Sequence, residues 1–295
     1  MVQRQRREYN SNVKGIILAG GTGSRLYPMT VSVNKQLIPV YDKPMIYYPL
    51  ANLISFGIKD VCIISSYDFV DKYRNLFGDG SQLGMSISYK IQEKPKGIAE
   101  SLIISEEFIK NSKVCLILGD NIFHGISDIE IAANGATIFG YEVRNPSAYG
   151  VVDFDLHGRA TSIQEKPSFP SSKFAVPGLY FYDENATEYA NTLTPSARGE
   201  LEITDLNNLY LRKNEITVYK LKKGSVWLDA GTPESLFQSS AYIQAIQSRQ
   251  GLMVACVEEE SYKRKFINKD QLRKLIDKMP ESEYKEYVRN YYVQN

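Results

Sequence analysis

The stretch that decides the fold is Lys14-Gly15-Ile16-Ile17-Leu18-Ala19-Gly20-Gly21-Thr22-Gly23-Ser24-Arg25-Leu26, with Lys35 one short loop later. An apolar run from Ile16 to Ala19 passes straight into three glycines, then a fixed cation, then a second. A buried strand ending in a glycine-rich turn lets backbone N–H groups approach a polyphosphate with no Cβ in the way. Arg25 and Lys35 add the charge that backbone dipoles lack. The pattern is not a Walker A loop, because no Lys-Ser or Lys-Thr follows the glycines. It is not a dinucleotide fingerprint either, since Leu26 stands where the third glycine belongs. Glycines alone are equally compatible with a tight strand-to-helix turn; the two cations favour a triphosphate site.

Outward from this turn, strand-like and helical runs alternate. Gly15–Ala19, Asp60–Ser65, Ser86–Ile91 and Lys113–Leu118 read as strands; Pro44–Phe56, Phe69–Phe77 and Ile98–Ile109 read as helices. Near-continuous Ile, Leu, Val and Cys fit strands buried on both faces, so the expected class is α/β, a mixed, mostly parallel Rossmann-like sheet flanked by helices. In such sheets ligands sit at the carboxyl ends of strands. The glycine turn after Ala19 and Gly119-Asp120-Asn121 after Leu118 should then share one cleft. The middle is richer in strand: Ala136–Val143, Gly150–Phe154, Ala160–Gln164 and Gly178–Tyr182. Helical patterns return over Ser235–Ser248, Gln271–Met279 and Glu281–Tyr292. The expected organisation is a solvated basic tail (residues 1–13), a catalytic domain (14–248) and a C-terminal helical cap (249–295) that packs on the core or on a neighbouring subunit.

Composition narrows the class of function. The 295 residues, 43% hydrophobic, suffice for one large domain with a helical appendage. A net charge of +1 gives no general surface for a nucleic-acid polymer or a membrane, so a polyanion must be held by local clusters. Three widely separated cysteines, two of them in apolar runs, indicate reduced thiols in a cytoplasmic chain. Two histidines and no C-x-x-C leave little for structural zinc. The N-terminus lacks an apolar signal-peptide core.

Asp120 ends an apolar strand and Asp229 follows Trp227-Leu228. A carboxylate at the mouth of a buried strand is costly unless it is hydrogen-bonded or metal-bound. The two could meet over one Mg²⁺, a hard cation that takes a few carboxylates plus phosphate oxygens. Each could equally cap a nearby helix. Both readings stay open at this level.

The ordered motifs carry more. Gly20-Gly21-x-Gly-x-Arg-Leu-x-Pro-x-Thr, Lys35-Gln36-Leu37-Ile38-Pro39-Val40 and Tyr41-Asp42-Lys43-Pro44 are followed by Leu118-Gly119-Asp120-Asn121, Tyr149-Gly150-Val151-Val152 and Glu165-Lys166-Pro167. Gly178-Leu179-Tyr180, Arg198-Gly199-Glu200-Leu201-Glu202-Ile203-Thr204-Asp205 and Trp227-Leu228-Asp229-Ala230-Gly231 complete the series. Taken together the chain after Val13 resembles the sugar-nucleotide pyrophosphorylases, most closely the branch that transfers a thymidylyl group. The resemblance implies dTTP and glucose 1-phosphate as substrates, Mg²⁺ as cofactor, and a homo-oligomer, a homotetramer in relatives.

It also implies roles. Arg25 would hold the β- and γ-phosphates, Lys35 the α-phosphate and incoming phosphate, and Lys166 the sugar phosphate. Asp120 and Asp229 would bind the metal. Leu18, Ala19, Gly20, Gly21, Gly23, Ser24 and Gln36 would surround the nucleotide, with Gln92 and Gly97 reading the pyrimidine. Asn121, Gly150, Glu165, Val176 and Tyr180 would line the sugar pocket. His124 needs no general-base role, because the attacking phosphate is already ionised near neutral pH. The runner-up readings are the same chemistry with UTP or another nucleotide, and a regulatory homologue without catalysis.

The chain departs from the family pattern at Ser24, Asn34 and Glu100, the last where a glutamine is common, and adds a negative charge near the base-reading loop. Ile126–Gly135 is several residues shorter than the family's helical stretch. That region helps build a feedback site in relatives, so the resemblance does not carry that site over.

Overall fold

A computed structural model describes residues 12–126, 129 and 131–294. In chain order the first half comprises β1 (Val13–Ala19), β2 (Pro39–Val40), β3 (Lys43–Pro44), α1 (Tyr47–Ser55), β4 (Asp60–Ser65), α2 (Tyr67–Phe77) and β5 (Ser86–Ile91). Then come α3 (Glu100–Ile104), α4 (Glu106–Ile109), β6 (Lys113–Leu118) and β7 (Asn121–His124). The middle holds β8 (Ala136–Glu142), β9 (Gly150–Phe154), β10 (Ala160–Glu165), β11 (Phe174–Ala175), β12 (Leu179–Tyr182), α5 (Ala186–Asn191), α6 (Ile203–Arg212), β13 (Ile216–Lys220) and β14 (Val226–Asp229). Helices α7 (Pro233–Gln250), α8 (Val257–Lys263), α9 (Lys269–Lys278) and α10 (Glu283–Gln294) close the chain.

The main sheet is mixed, in the order β10-β9-β11-β8-β12-β6-β1-β4-β5, with β13 added on β8. Its longest ladders are parallel, β6 on β1 and β4 on β5. β12 runs antiparallel between β6 and β8 and joins the parallel half to the β-rich half. Ile16, Ile17, Val61 to Ile64 and Val114 to Ile117 are fully buried, because helices cover both faces of this part of the sheet. The register sets Leu18 opposite Leu118, and Gly119 N–H donates to the Leu18 carbonyl at 2.9 Å. The loops that follow these two strands therefore leave the sheet side by side.

Three expectations need correction. The first helix starts at Tyr47 instead of Pro44, because Lys43 and Pro44 pair with Val40 and Pro39 in a small hairpin. The run Ile98–Ile109 is divided into α3 and α4 at Ser105, whose hydroxyl donates to the Ser101 carbonyl at 2.6 Å. Val13, placed in the tail by its sequence, is the first residue of β1; residues 1–11 of that expected tail lie outside the described residues.

The cap packs on the core of its own chain. Lys43 is buried beneath it, donating to Asp42 Oδ1 at 2.6 Å and to the Val254 carbonyl at 2.9 Å. Among the described residues no helix is long and apolar enough to cross a membrane, and the three cysteines are buried and unpaired.

Candidate functional site

Two short 3-10 turns carry the cations. In Ser24–Leu26, Leu26 is fully buried and anchors the turn while Arg25 stays exposed. Gly23 precedes it with φ +64°, and a Cβ there would stand 2.8 Å from Thr30 Cγ2, so only glycine fits. In Lys35–Leu37 the cap is Asn34, whose Oδ1 accepts from Gln36 N at 3.1 Å and from the Tyr73 hydroxyl at 2.6 Å. Lys35 is only 5% exposed, and its Nζ lies 2.5 Å from Asp120 Oδ2.

The second carboxylate arrives by a route absent from the main sheet. β14 pairs antiparallel with β7, setting Asp229 opposite Asn121, and Ala230 N–H donates to the Asp120 carbonyl at 3.3 Å. Asn121 stiffens this corner. Its Oδ1 accepts from Trp227 Nε1 at 2.6 Å and Gly178 N at 3.0 Å, and its Nδ2 donates to Asp120 Oδ1 at 2.8 Å. The two acids respond oppositely. Burial pushes Asp120 upward, but the Lys35 ammonium and the bonds from Lys35 and Asn121 outweigh it, leaving this carboxyl below its ordinary value. Asp229 is held above its ordinary value by burial, then by the charge of Asp120, despite Lys35, Arg25 and Lys166 nearby.

Lys35 neutralises Asp120, whereas for Asp229 burial and the charge of Asp120 outweigh the nearby cations. Among the described residues no group of three or more His, Cys, Asp or Glu side chains makes a complete metal cage. A two-carboxylate corner open to substrate oxygens is the donor set a Mg²⁺ ion accepts, since it retains several ligands from water and phosphate. The residues present fit that ion.

Two cavities adjoin at this edge. One, of about 210 Å³, is lined by Leu18, Gly21, Gln92, Gly97 and Arg198 among others. The other, of about 230 Å³, is lined by Arg25, Asp120, Asn121, Gly150, Val176, Tyr180 and Asp229 among others. Ile98, Glu165, Lys166 and Ile203 line both. Glu165 is held by Thr204, whose hydroxyl donates to Oε2 at 2.7 Å, with Arg198 Nη2 and Lys166 Nζ each 3.6 Å from Oε1. Lys166 follows β10 with φ +43°, a left-handed conformation that costs a lysine ~1–2 kcal/mol. Gln92 is buried, and Gly97 (φ +102°) lies so close to the next segment that a Cβ would stand 2.3 Å from the Leu201 carbonyl. Tyr180 is buried and stacked on Tyr182 at 11° between ring planes.

The remaining sequence candidates stand around these cavities without lining them. Ala19 is buried behind the turn, its carbonyl accepting from Ser65 at 3.1 Å, and Gly20 abuts Gln92. Ser24 is exposed. Gln36 is buried against Gly119, and its Oε1 has no hydrogen-bond partner among the described residues. His124 lies outside both cavities with Nδ1 2.8 Å from the Tyr242 hydroxyl; burial lowers its pKa. Glu100 is turned onto Gln92 and lines neither cavity.

Sequence reasoning missed Thr204, Trp227, Tyr149 and Arg198 as cavity residues. Thr204 and Arg198 belong to a motif with four charged residues in a short span, which was the available signal. Nothing in the sequence around Trp227 indicated a bond to Asn121.

The chain is similar to known proteins along most of its length. The family described as Nucleotidyl transferase matches residues 14–246. Glucose-1-phosphate thymidylyltransferase of Neisseria meningitidis is 49% identical over 282 residues, 94% of this chain and 98% of that protein. The enzyme of that name from Mycobacterium tuberculosis is 45% identical over the same share of each chain. A crystal structure from Bacillus anthracis, a provisionally assigned glucose-1-phosphate thymidylyltransferase in complex with sucrose, superposes with a TM-score of 0.72 at 41% identity. It covers 78% of this chain and 94% of that one. The chain belongs to the nucleotidyl transferase family.

Proposed function

We propose that this nucleotidyl transferase joins dTTP and α-D-glucose 1-phosphate into dTDP-glucose and pyrophosphate. The observation that carries the reading is the meeting of Arg25, Asp120, Asp229 and Lys166 in one cavity that shares a wall with the Gln92 cavity. Relatives that span nearly the whole chain and bear the corresponding enzyme name support it.

The reaction is in-line attack of a sugar-phosphate oxygen on the nucleotide α-phosphorus, with pyrophosphate leaving. Such displacement needs little covalent help; positioning and charge neutralisation supply most of the acceleration. Lys166 stands between the cavities, where the two reacting phosphates must approach despite their like charge. Arg25 is exposed at the mouth, suited to the β- and γ-phosphates and to the pyrophosphate as it departs. Lys35 holds Asp120 ionised at the point of contact with the α-phosphate. Glu165, fixed by Thr204, accepts from sugar hydroxyls, and Asn121, Gly150, Val176 and Tyr180 shape that side. Asp120 and Asp229 would hold Mg²⁺, which when bound neutralises phosphate charge. In this reading residues 14–248 form the transferase unit and 249–295 its cap, in a cytoplasmic homo-oligomer.

The test is pyrophosphate release with Mg²⁺ and glucose 1-phosphate across dTTP, UTP, CTP, ATP and GTP. Strong release with dTTP and weaker release with UTP is expected. Release only with another base would overturn the thymidylyl assignment, and binding without release would favour a regulatory role.

A further inference from the structure

The β2–β3 hairpin joins the turn that carries Lys35 to α1, and its second strand holds a buried cation that lines neither cavity. Lys43 is only 4% exposed and uses all three of its N–H donors within the protein. Nζ donates to Asp42 Oδ1 at 2.6 Å, to the Val254 carbonyl at 2.9 Å and to Gln247 Oε1 at 3.5 Å. Gln247 closes the circuit: its Nε2 donates to Asp42 Oδ2 at 2.9 Å, and its Oε1 accepts from Val254 N at 2.9 Å. The rings of Tyr48 and Tyr284 have their centres 5.6 and 6.0 Å from the ammonium. Hairpin, α7 and cap thus meet in one ring of polar groups. An apolar side chain of similar length would cover the same surface without the cost of desolvating an ammonium; what the ring adds is a fixed geometry.

Two routes lead from this ring to the site. Along the hairpin, Met45 N–H donates to the Ile38 carbonyl at 3.0 Å and Ile46 N–H to the Gln36 carbonyl at 2.9 Å, which fastens β3 to the Lys35–Leu37 turn. At the hairpin tip Tyr41, held left-handed at φ +62°, donates through its N–H to Ser240 Oγ on α7 at 3.2 Å. Along α7, the helix is capped by Thr232, three residues past Asp229, and Gln247 stands in its last turn. The ring therefore sits where the segment leading from Lys35 meets the helix leading from Asp229. We propose that Lys43 is a positioning residue for the transfer reaction: by locking the hairpin to α7 and the cap, it fixes Lys35 and its partner Asp120 relative to Asp229. The inference rests on the proposed function, in which these three groups belong to the reacting centre.

The test uses the full-length protein as wild type, K43M and Q247M, with two readouts: lysine acetylation by acetic anhydride, mapped by mass spectrometry, and steady-state pyrophosphate release. Lys35 should be acetylated about tenfold faster in K43M, the factor expected when one net hydrogen bond no longer opposes its local opening. Lys285, buried in the cap, is the internal control and should not change. The kcat should fall about tenfold with KM for both substrates little altered, within the ~100-fold that a 1 Å misplacement can cost. Q247M breaks the ring without removing its charge and should move both readouts in the same direction by a smaller factor; it carries the test if K43M fails to fold. Unchanged Lys35 labelling in folded variants overturns the inference. So does a joint rise at Lys35 and Lys285, which would make Lys43 an anchor of the cap alone, and so does a rise at Lys35 with kcat unaltered. Wild-type protein that released no pyrophosphate with any nucleotide would sink the functional reading, while the labelling would still support or overturn the link from Lys43 to Lys35.

Discussion

Asp229 sits directly across the β7–β14 ladder from Asn121, the neighbour of Asp120. This pairing alone brings the second carboxylate to the first, over a sequence separation of more than a hundred residues. It also leaves the protein with a destabilising feature at its site, since one acid is held above its ordinary value by burial and by the other's charge.

The first prediction follows from that feature. Asp229→Asn and Asp120→Asn should each lower kcat at least ~100-fold, the scale of losing a central electrostatic element. Near-normal turnover would remove the residue from the site.

Asp229→Asn should also raise the melting temperature of the metal-free protein at neutral pH. The folded state binds the Asp229 proton more tightly than the unfolded chain does, so stability falls as pH rises through the folded value. A neutral amide removes that loss. Added Mg²⁺ should stabilise the wild type more than the variant, and equal stabilisation would speak against Asp229 as a metal ligand.

The two cations should behave differently when truncated. Lys35→Ala leaves Asp120 without its buried partner and should cost about 2 kcal/mol of stability, less than the 3–5 kcal/mol of fully enclosed pairs because Asp120 is open on one side. Arg25→Ala, at an exposed side chain, should cost no more than ~0.5 kcal/mol while depressing turnover. Urea denaturation beside steady-state kinetics distinguishes the two, and a large stability loss in Arg25→Ala would make that residue structural.

Gly231→Ala is a probe that removes no charged group. Its Cβ would fall 2.7 Å from Arg25 Nη2 and 3.0 Å from Asp229 Oδ1. The guanidinium can move aside, so folding should survive, but a displacement near 1 Å at a reacting centre can cost up to ~100-fold in rate. A variant with full kcat would show that the placement of Arg25 is not critical.

In the cap, Glu258 is raised above its ordinary value by burial, although it accepts from the Tyr284 hydroxyl at 2.5 Å. Its contribution to stability therefore declines as pH rises through the folded value. Glu258→Gln should melt higher than wild type near pH 8, and the difference should shrink as the pH falls toward the ordinary carboxylate range. A gap that widens on acidification would contradict the assignment.

Much of the parallel half was legible in the sequence, because strands covered on both faces are nearly uniformly apolar. Asp60–Ser65, Ser86–Ile91 and Lys113–Leu118 fall where the sequence reading placed them. The carboxyl-edge rule likewise brought the glycine turn and Asp120 together. Asn121–His124 and Val226–Asp229 were not legible as strands. Each has only four residues, and their pairing is a tertiary event with no local signal. The residues alone therefore left the meeting of Asp120 with Asp229 open beside a helix-cap reading, and the resemblance favoured it. Glu100 illustrates the same limit in reverse: the sequence shows an added charge near the base loop, whereas the structure turns that charge onto one amide.

The wall shared by the two cavities has a consequence for ligand design. Ile98, Glu165, Lys166 and Ile203 belong to both chambers, so the occupants of the two lie next to each other across these side chains. A single molecule spanning both loses its translational freedom once, and its second half then binds at a high effective concentration set by the link between them. Weak fragments found separately for each chamber are thus candidates for joining across Lys166, with the length of the bridge as the variable that decides whether avidity appears.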